Sequence, residues 1–218
     1  MDFSLISLSL RVALVATAIN LPIALLVSWI LVRWKMRWMV LIDILVSLPL
    51  MLPPVAIGFF LLVILGREGF IGQIYNWIVG VDIVFTWVAA SIAAAVVSFP
   101  LLVRAIMVSM QGVDPVLETV ARSLGAGPFR VALTITLPLS YRGVFAGVLL
   151  GFVRALSEFG ATIVVAGNIP GHTQTLPLAI YSSIQLGNDA TVIRLIAVSL
   201  VLAIASLLVY NWLLRKDV

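Results

Sequence analysis

The chain reads as an all-α membrane protein with about five transmembrane helices, and three observations carry that class. Of its 218 residues, 63% are hydrophobic and 10% charged, whereas soluble domains run at about 45–50% and about 25%. A mean hydropathy of +1.23 leaves too little polar surface to cover a water-soluble globule, and it excludes a disordered chain, which needs low hydrophobicity and dense charge. Five stretches reach the roughly 20 mostly apolar residues that a spanning helix requires. None shows the roughly 10-residue alternation of an outer-membrane strand, which argues against a barrel.

The first stretch covers residues 8–32. Its leading residues, MDFSLISLSL, lack a basic n-region and the apolar run is too long for an h-region, so a retained span is expected rather than a cleaved signal. The second, 39–65, contains Pro49, Pro53 and Pro54, which remove backbone donors and should kink or break it. Carbonyls freed at membrane depth must face protein or a water-filled cavity; the plainer alternative is a bent packing helix. The third, 84–110, carries Ser98-Phe99-Pro100 as the mark of a bend, and the fourth and fifth cover 143–165 and 192–214. Between the second and third, Phe70, Ile74, Trp77 and Ile78 recur at helical spacing in 66–82, predicting a short interfacial helix. The connection 167–189 opens on Gly and Pro, then predicts one or two helical turns before Gly187. No internal repeat supports an inverted-repeat carrier, and residues 1–218 read as one transmembrane domain.

Charge orients the spans. Arg33, Lys35 and Arg37 follow the first, Arg122, Arg130 and Arg142 separate the third from the fourth, and Arg215 and Lys216 follow the fifth. Basic excess belongs in the cytoplasm, so the N-terminus is expected outside and the C-terminus inside. The same rule explains the net charge of +4 without invoking nucleic acid. Trp34, Trp38, Trp77, Trp87 and Trp212 lie near span ends, where interfacial rings are expected. With no cysteine and one histidine, His172, neither a thiolate metal site nor a multi-histidine cage is available, and no catalytic constellation is present. His172 reads as a solvated outer-loop residue, or else as a contact for an external partner.

The segment 111–142 is the one long connection on the basic side, and loops of that length are uncommon unless functional. Asp114 followed by Pro115 is a preferred helix start. Leu117, Ala121 and Leu124 form an apolar stripe, Gly125 suits a left-handed cap, and Gly127-Pro128 breaks the chain again. A second short run, 129–135, is expected to stop before Leu137-Pro138. The plain reading is an amphipathic linker on the lipid surface, and the functional one is a docking element for a cytoplasmic partner.

The residues of this loop resemble a pattern found in permease subunits of ABC importers: an E-A-A triplet, a glycine, then Ile-x-Leu-Pro. Thr119-Val120-Ala121 stand at the triplet, Gly125 at the glycine with Ala126 and Gly127 after it, and Ile135, Leu137 and Pro138 at the ending. Thr119 and Val120 depart from the pattern, while Glu118 supplies an acid one residue early. Residues 47–62, 66–73, 98–106 and 155–177 extend the resemblance toward molybdate permeases, with sulfate, thiosulfate and tungstate permeases similar in several places. The resemblance implies the type I importer fold, with 111–142 as a coupling loop to the ATPase. It also implies a homodimer in the cytoplasmic membrane, two ABC ATPase subunits below, and a periplasmic or lipid-anchored oxyanion-binding protein above. ATP and Mg would then sit on the ATPase and no cofactor on this chain. The sequence fits that division: its lysines, Lys35 and Lys216, follow Trp34 and Arg215, so no Gly-Lys P-loop exists. A channel or secondary carrier without an ATPase, or a membrane scaffold that transports nothing, are the rival classes.

Inside the fourth stretch, Arg154 and Glu158 are four apart and are expected on one helix face. Intramembrane charge costs about 2.5–3.5 kcal/mol per residue on insertion scales. The pair reads either as a salt bridge holding the bundle or as the border of an anion path. Gly160, Ala161, Ser157 and Thr162 form a small polar face suited to close packing or to a pore wall. With Pro53 and Pro54, residues Arg154, Ser157, Glu158 and Thr162 are the translocation-path candidates.

Overall fold

The structure, a computed structural model, describes residues 3–34 and 36–214. The expectations on Lys35, Arg215 and Lys216 lie outside them. The described residues are helical throughout their regular elements. In chain order these are α1 (Phe3–Arg33), α2 (Met39–Met51), α3 (Pro54–Leu65), α4 (Phe70–Val79), α5 (Trp87–Gln111), α6 (Pro115–Ser123) and α7 (Pro128–Val131). A π-helical turn (Ala132–Thr136) leads into α8 (Leu137–Leu156), followed by α9 (Gly160–Val165), α10 (Leu176–Gln185) and α11 (Asp189–Leu214).

Four of these segments are long and apolar enough to cross a membrane: Phe3–Arg33, Trp87–Gln111, Pro128–Leu156 and Asp189–Trp212. The second expected span is a pair, α2 and α3, bent by 112°. Its cause is the Pro53-Pro54 step: Pro53 sits extended at φ −57°, ψ 133°, and Pro54 begins the new helix without needing a donor. Pro100 behaves differently. It lies within α5, whose helix runs unbroken from Trp87 to Gln111.

Two expectations need correction. The fourth stretch is not one helix over 143–165: α8 ends at Leu156, residues 157–159 are non-helical, and α9 restarts at Gly160. Nor does the run after Gly127 stop before Leu137-Pro138. The helix continues from Pro128 to Leu156 through the π turn, where Leu137 N–H reaches back to Ala132 O. A wide turn of this kind, placed just before Pro138, lets the helix pass a residue that has no N–H to give. The expected small elements are present: α4 coincides with the interfacial segment, and α10 is a longer helix than the one or two turns anticipated.

The core is α5, packed along α1 on one side and α8 on the other. Ala89, Ala90, Ala93 and Ala94 of α5 are completely buried, as are Ala13 and Ala16 of α1. Between apolar helices in lipid, small residues allow the close approach that drives association. On α8, Gly143, Gly147 and Gly151 recur every fourth residue and face Ser109, Ala105 and Leu102; a methyl at Gly143 would lie 2.2 Å from Ser109 Oγ. Polar cross-links complete the core: Asn20 Nδ2 donates to Ala95 O at 2.8 Å, and Ser28 Oγ donates to Val103 O at 3.1 Å. Arg11 lies within α1, and its guanidinium is 3.7 Å from the centre of the Trp87 ring. By contrast, α11 has no buried residue in its apolar window, so one whole span presents its surface outward.

Candidate functional site

The expected loop folds as a short helix braced against the end of the bundle. Asp114 caps α6, its Oδ1 accepting from Val116 N–H at 2.9 Å, with Pro115 in the first turn. Gly125 terminates it at φ +88°, in the left-handed region that glycine adopts without strain. Glu118 points inward. It is 4% exposed and accepts from Thr136 Oγ1 at 2.6 Å, in the π turn. Arg33 Nη2, at the end of α1, lies 2.5 Å from the same oxygen, Oε1, and Arg122 Nη2 lies 3.7 Å from Oε2. Arg33 also donates to Met110 O at 3.2 Å, near the end of α5. One carboxylate thus ties α6 to the ends of α1, α5 and α8.

With Glu118 inside, the apolar side chains of α6 face out. Leu117 and Leu124 of the expected stripe are exposed, and Val116 and Val120 join them, with Phe129 of α7 69% exposed alongside. Ala121 and Ala126 are half-buried, and Thr119 is exposed with its hydroxyl donating to Pro115 O at 2.9 Å. Gly127 is exposed at the turn, and Ile135, Leu137 and Pro138 lie in the π turn and the first turn of α8, with Pro138 exposed. A capped helix carrying an apolar face outside the membrane-spanning segments is a surface suited to a protein groove or to the lipid interface. Val116 and Val120 could have been read from the sequence by widening the helical stripe on both sides of Leu117, whereas Phe129 is brought alongside by the turn at Gly125–Pro128.

The second set of candidates meets where two broken spans cross. Arg154 Nη1 and Glu158 Oε2 are 2.8 Å apart, but across a helix end rather than along one helix. Glu158, 3% exposed, also accepts from Ala161 N–H at 2.9 Å through Oε1, so it caps the first turn of α9. Ser157 is exposed and donates to Arg154 O at 3.1 Å. Thr162 is 1% exposed, within the packed interior and not on an open wall. The break in the other span lies against this one: a methyl on Gly160 would be 3.0 Å from Pro54 Cβ, and one on Gly58 would be 2.7 Å from Ala161 O. Only glycine lets α3 and α9 approach so closely. Pro54 is half-buried in this contact and Pro53 is exposed beside it. Backbone breaks of this kind occur at membrane depth only where protein or water satisfies the freed groups.

Sequence reading passed over two further charges. Asp43 and Arg104 sit inside the second and third apolar stretches, and the same cost of intramembrane charge that singled out Arg154 flags them too.

Comparisons with known proteins agree with this geometry. Residues 20–216 match the family model described as "Binding-protein-dependent transport system inner membrane component". The chain is 47% identical over 216 residues to the molybdenum transport system permease protein ModB of Escherichia coli strain K12, covering 98% of this chain and 94% of that one. With the Haemophilus influenzae protein of the same name it shares 48% over 218 residues, covering 99% and 95%. A probable sulfate transport system permease protein, cysT of Nephroselmis olivacea, is 33% identical over 211 residues, covering 95% and 72%. Among solved structures, a bacterial ABC transporter that imports alginate superposes with TM-score 0.74 at 14% identity, covering 99% of this chain and 79% of that one. An amino acid ABC transporter superposes at 0.67 and 17%, covering 98% and 92%. Those two likenesses speak for the fold, and the family match and relatives for descent: the chain belongs to the inner-membrane components of binding-protein-dependent transport systems.

Proposed function

We propose that this chain is the permease subunit of an ATP-driven importer that moves molybdate across the cytoplasmic membrane by alternating access. Tungstate, with nearly the same shape and charge, is the next substrate. The observation that carries the substrate class is 47% identity across nearly the whole chain to a molybdenum permease. Sulfate or thiosulfate is the second reading, favoured by the 33% identity to a sulfate permease and weaker by that margin.

Two copies form the pathway along their shared interface, with the N-terminus outside and the C-terminus inside. The oxyanion-binding protein docks on the outer connections, including 167–189, and releases its dianion into the cavity. Two ABC ATPase chains, carrying ATP and Mg, each receive one α6 through its apolar face of Val116, Val120 and Leu124. ATP favours the closed ATPase pair, and that differential affinity shifts the permease between inward-open and outward-open states. No catalytic residue and no cofactor are assigned to this chain. The rigid seat of α6 on Glu118 supports transmission: a push on the helix reaches α1 through Arg33 and α8 through Thr136.

Uptake of labelled molybdate by cells with and without the chain tests this directly. Uptake that needs the chain and yields to excess tungstate but not sulfate is expected; competition by sulfate at similar concentration moves the assignment to sulfate. A channel or carrier would instead show uptake driven by membrane potential or proton gradient, with no ATPase recovered alongside. Gly125→Asp puts a charged, β-carbon-bearing residue at φ +88° beside the apolar face. Loss of uptake with normal membrane insertion is expected, and robust transport by that variant contradicts the docking role.

A further inference from the structure

Asp43 and Arg104 belong to neither site described above, and the two meet. Arg104 Nη2 lies 2.8 Å from Asp43 Oδ1 and donates to Ser47 Oγ at 2.6 Å. Asp43 and Ser47 are one turn apart on α2, and Arg104 is seven residues before the end of α5 at Gln111. At about 1.5 Å per residue, the guanidinium is anchored roughly 10 Å inside the α6 end of the bundle. The two contacts use Nη2, and no bond among the described residues engages Nη1 or Nε. Three N–H donors of the fork therefore remain open.

Exposure sets this cluster apart from the ion pair that seats α6. The Arg104 and Asp43 side chains are 42% and 40% exposed, against 13% and 6% for Arg33 and Glu118. Around them the surface is apolar: Val40, Leu41, Ile44 and Val108 are all exposed. The hydrocarbon of lipid offers no acceptor for three open donors, so the fork must face water, a headgroup phosphate reached by snorkelling, another copy of the chain, or a dissolved anion. A planar guanidinium matches an oxyanion with two parallel hydrogen bonds, which an ammonium cannot do. Asp43 takes part of the positive charge, so a dianion is attracted and then let go. The position also fits a sequence of steps. Leu102 of α5 lies against Gly151 of α8, which sets Arg154 roughly 7–8 Å farther from the α6 end than Arg104.

We propose that Arg104, held by Asp43 and Ser47, is a transit site for the oxyanion on the α6 side of the pathway, one guanidinium contributed by each copy. This rests on the reading of the chain as an oxyanion permease. The test is molybdate uptake into proteoliposomes containing the assembled transporter, ATPase and binding protein included. Arg104→Gln is expected to lower the uptake rate by roughly tenfold, and Asp43→Asn by a few-fold because the uncompensated cation holds the dianion. The double variant Asp43→Asn/Arg104→Gln separates the roles. It stays as slow as Arg104→Gln if the cation meets the anion. It recovers toward wild type if the pair is only a clamp, since no unpaired charge is left, and that recovery overturns the site. Should Arg104→Gln fail to assemble, Arg104→Lys keeps a charge for Asp43 but loses the fork; assembly with roughly threefold slower uptake is expected, and a wild-type rate overturns the proposal. Wild-type vesicles that take up no molybdate overturn the permease reading and this site with it, whereas wild-type uptake unchanged by Arg104→Gln overturns the site alone.

Discussion

Two buried glutamates organise the two functional regions, and they do so over different distances. Glu118 draws together Arg33, 85 positions earlier, and Thr136, 18 positions later, so its bonds join separate elements. Glu158 binds Arg154 and Ala161, both within a single turn of chain on either side. The first arrangement bonds α6 to the end of α1 and to the π turn that leads into α8, the contacts on which the proposed transmission rests. The second closes over the break itself, joining the last turn of α8 through Arg154 to the first turn of α9 through Ala161. The proposed transmission role of α6 calls for the long-range bracing, and the proposed pathway role of the α8–α9 break for a set closed over the break.

Removing the long-range brace has the largest expected effect. Glu118→Ala leaves Arg33, at 13% exposure, with Met110 O as its one hydrogen-bond acceptor among the described residues. Breaking a buried pair from one side costs about 3–5 kcal/mol. The lower end, about 3 kcal/mol, is expected here because Arg122 also loses a neighbour only at 51% exposure, where its charge is hydrated. Thermal unfolding in detergent measures it, and ATPase activity in the assembled transporter becomes uncoupled from uptake. An unchanged melting temperature with tight coupling would remove Glu118 from the mechanical path.

At the proposed pathway, Glu158→Gln tests whether the local set acts by charge or by shape. The amide oxygen still accepts from Ala161 N–H, while Arg154 at 30% exposure loses its counter-ion. A stability loss of about 1–2 kcal/mol is expected, in the range for hydrogen bonds to a charged group. Uptake should fall further than stability does. Normal uptake by Glu158→Gln, and by the double variant Arg154→Gln/Glu158→Gln, would leave the pair a structural salt bridge.

How far the sequence announced these regions follows from what each depends on. Span number, the α4 and α6 helices and the Gly125 cap were legible because apolar runs, helical spacing and Asp114-Pro115 act locally. The break at Pro53-Pro54 was legible for the same reason. The break after Leu156 was not, because ALSEFGA carries no proline and its helix ends through Glu158 turning to cap Ala161 and α9 packing on Gly58. That contact is set by a span a hundred residues away. The inward turn of Glu118 was hidden likewise, since its partners Arg33 and Thr136 lie in other elements. The passage of a helix through Leu137-Pro138 required a π turn, which no local signal in Ala132–Thr136 announces.

The smallest effect separates the brace from the helix it braces. Asp114→Ala removes the side-chain acceptor for Val116 N–H at the start of α6 and leaves Glu118, Arg33 and Thr136 untouched. Loss of such a cap costs about 1 kcal/mol, and the exposed position of Asp114 lets water take over part of the bond. The first turn of α6 should fray while the turn holding Glu118 stays in place. Hydrogen exchange then shows faster amide exchange at Val116 and Leu117 than over 119–122, and uptake falls by less than twofold. Equal acceleration along all of α6 would mean that the cap, and not Glu118, holds the helix, and the contrast between long-range and local bracing would fail at its own starting point.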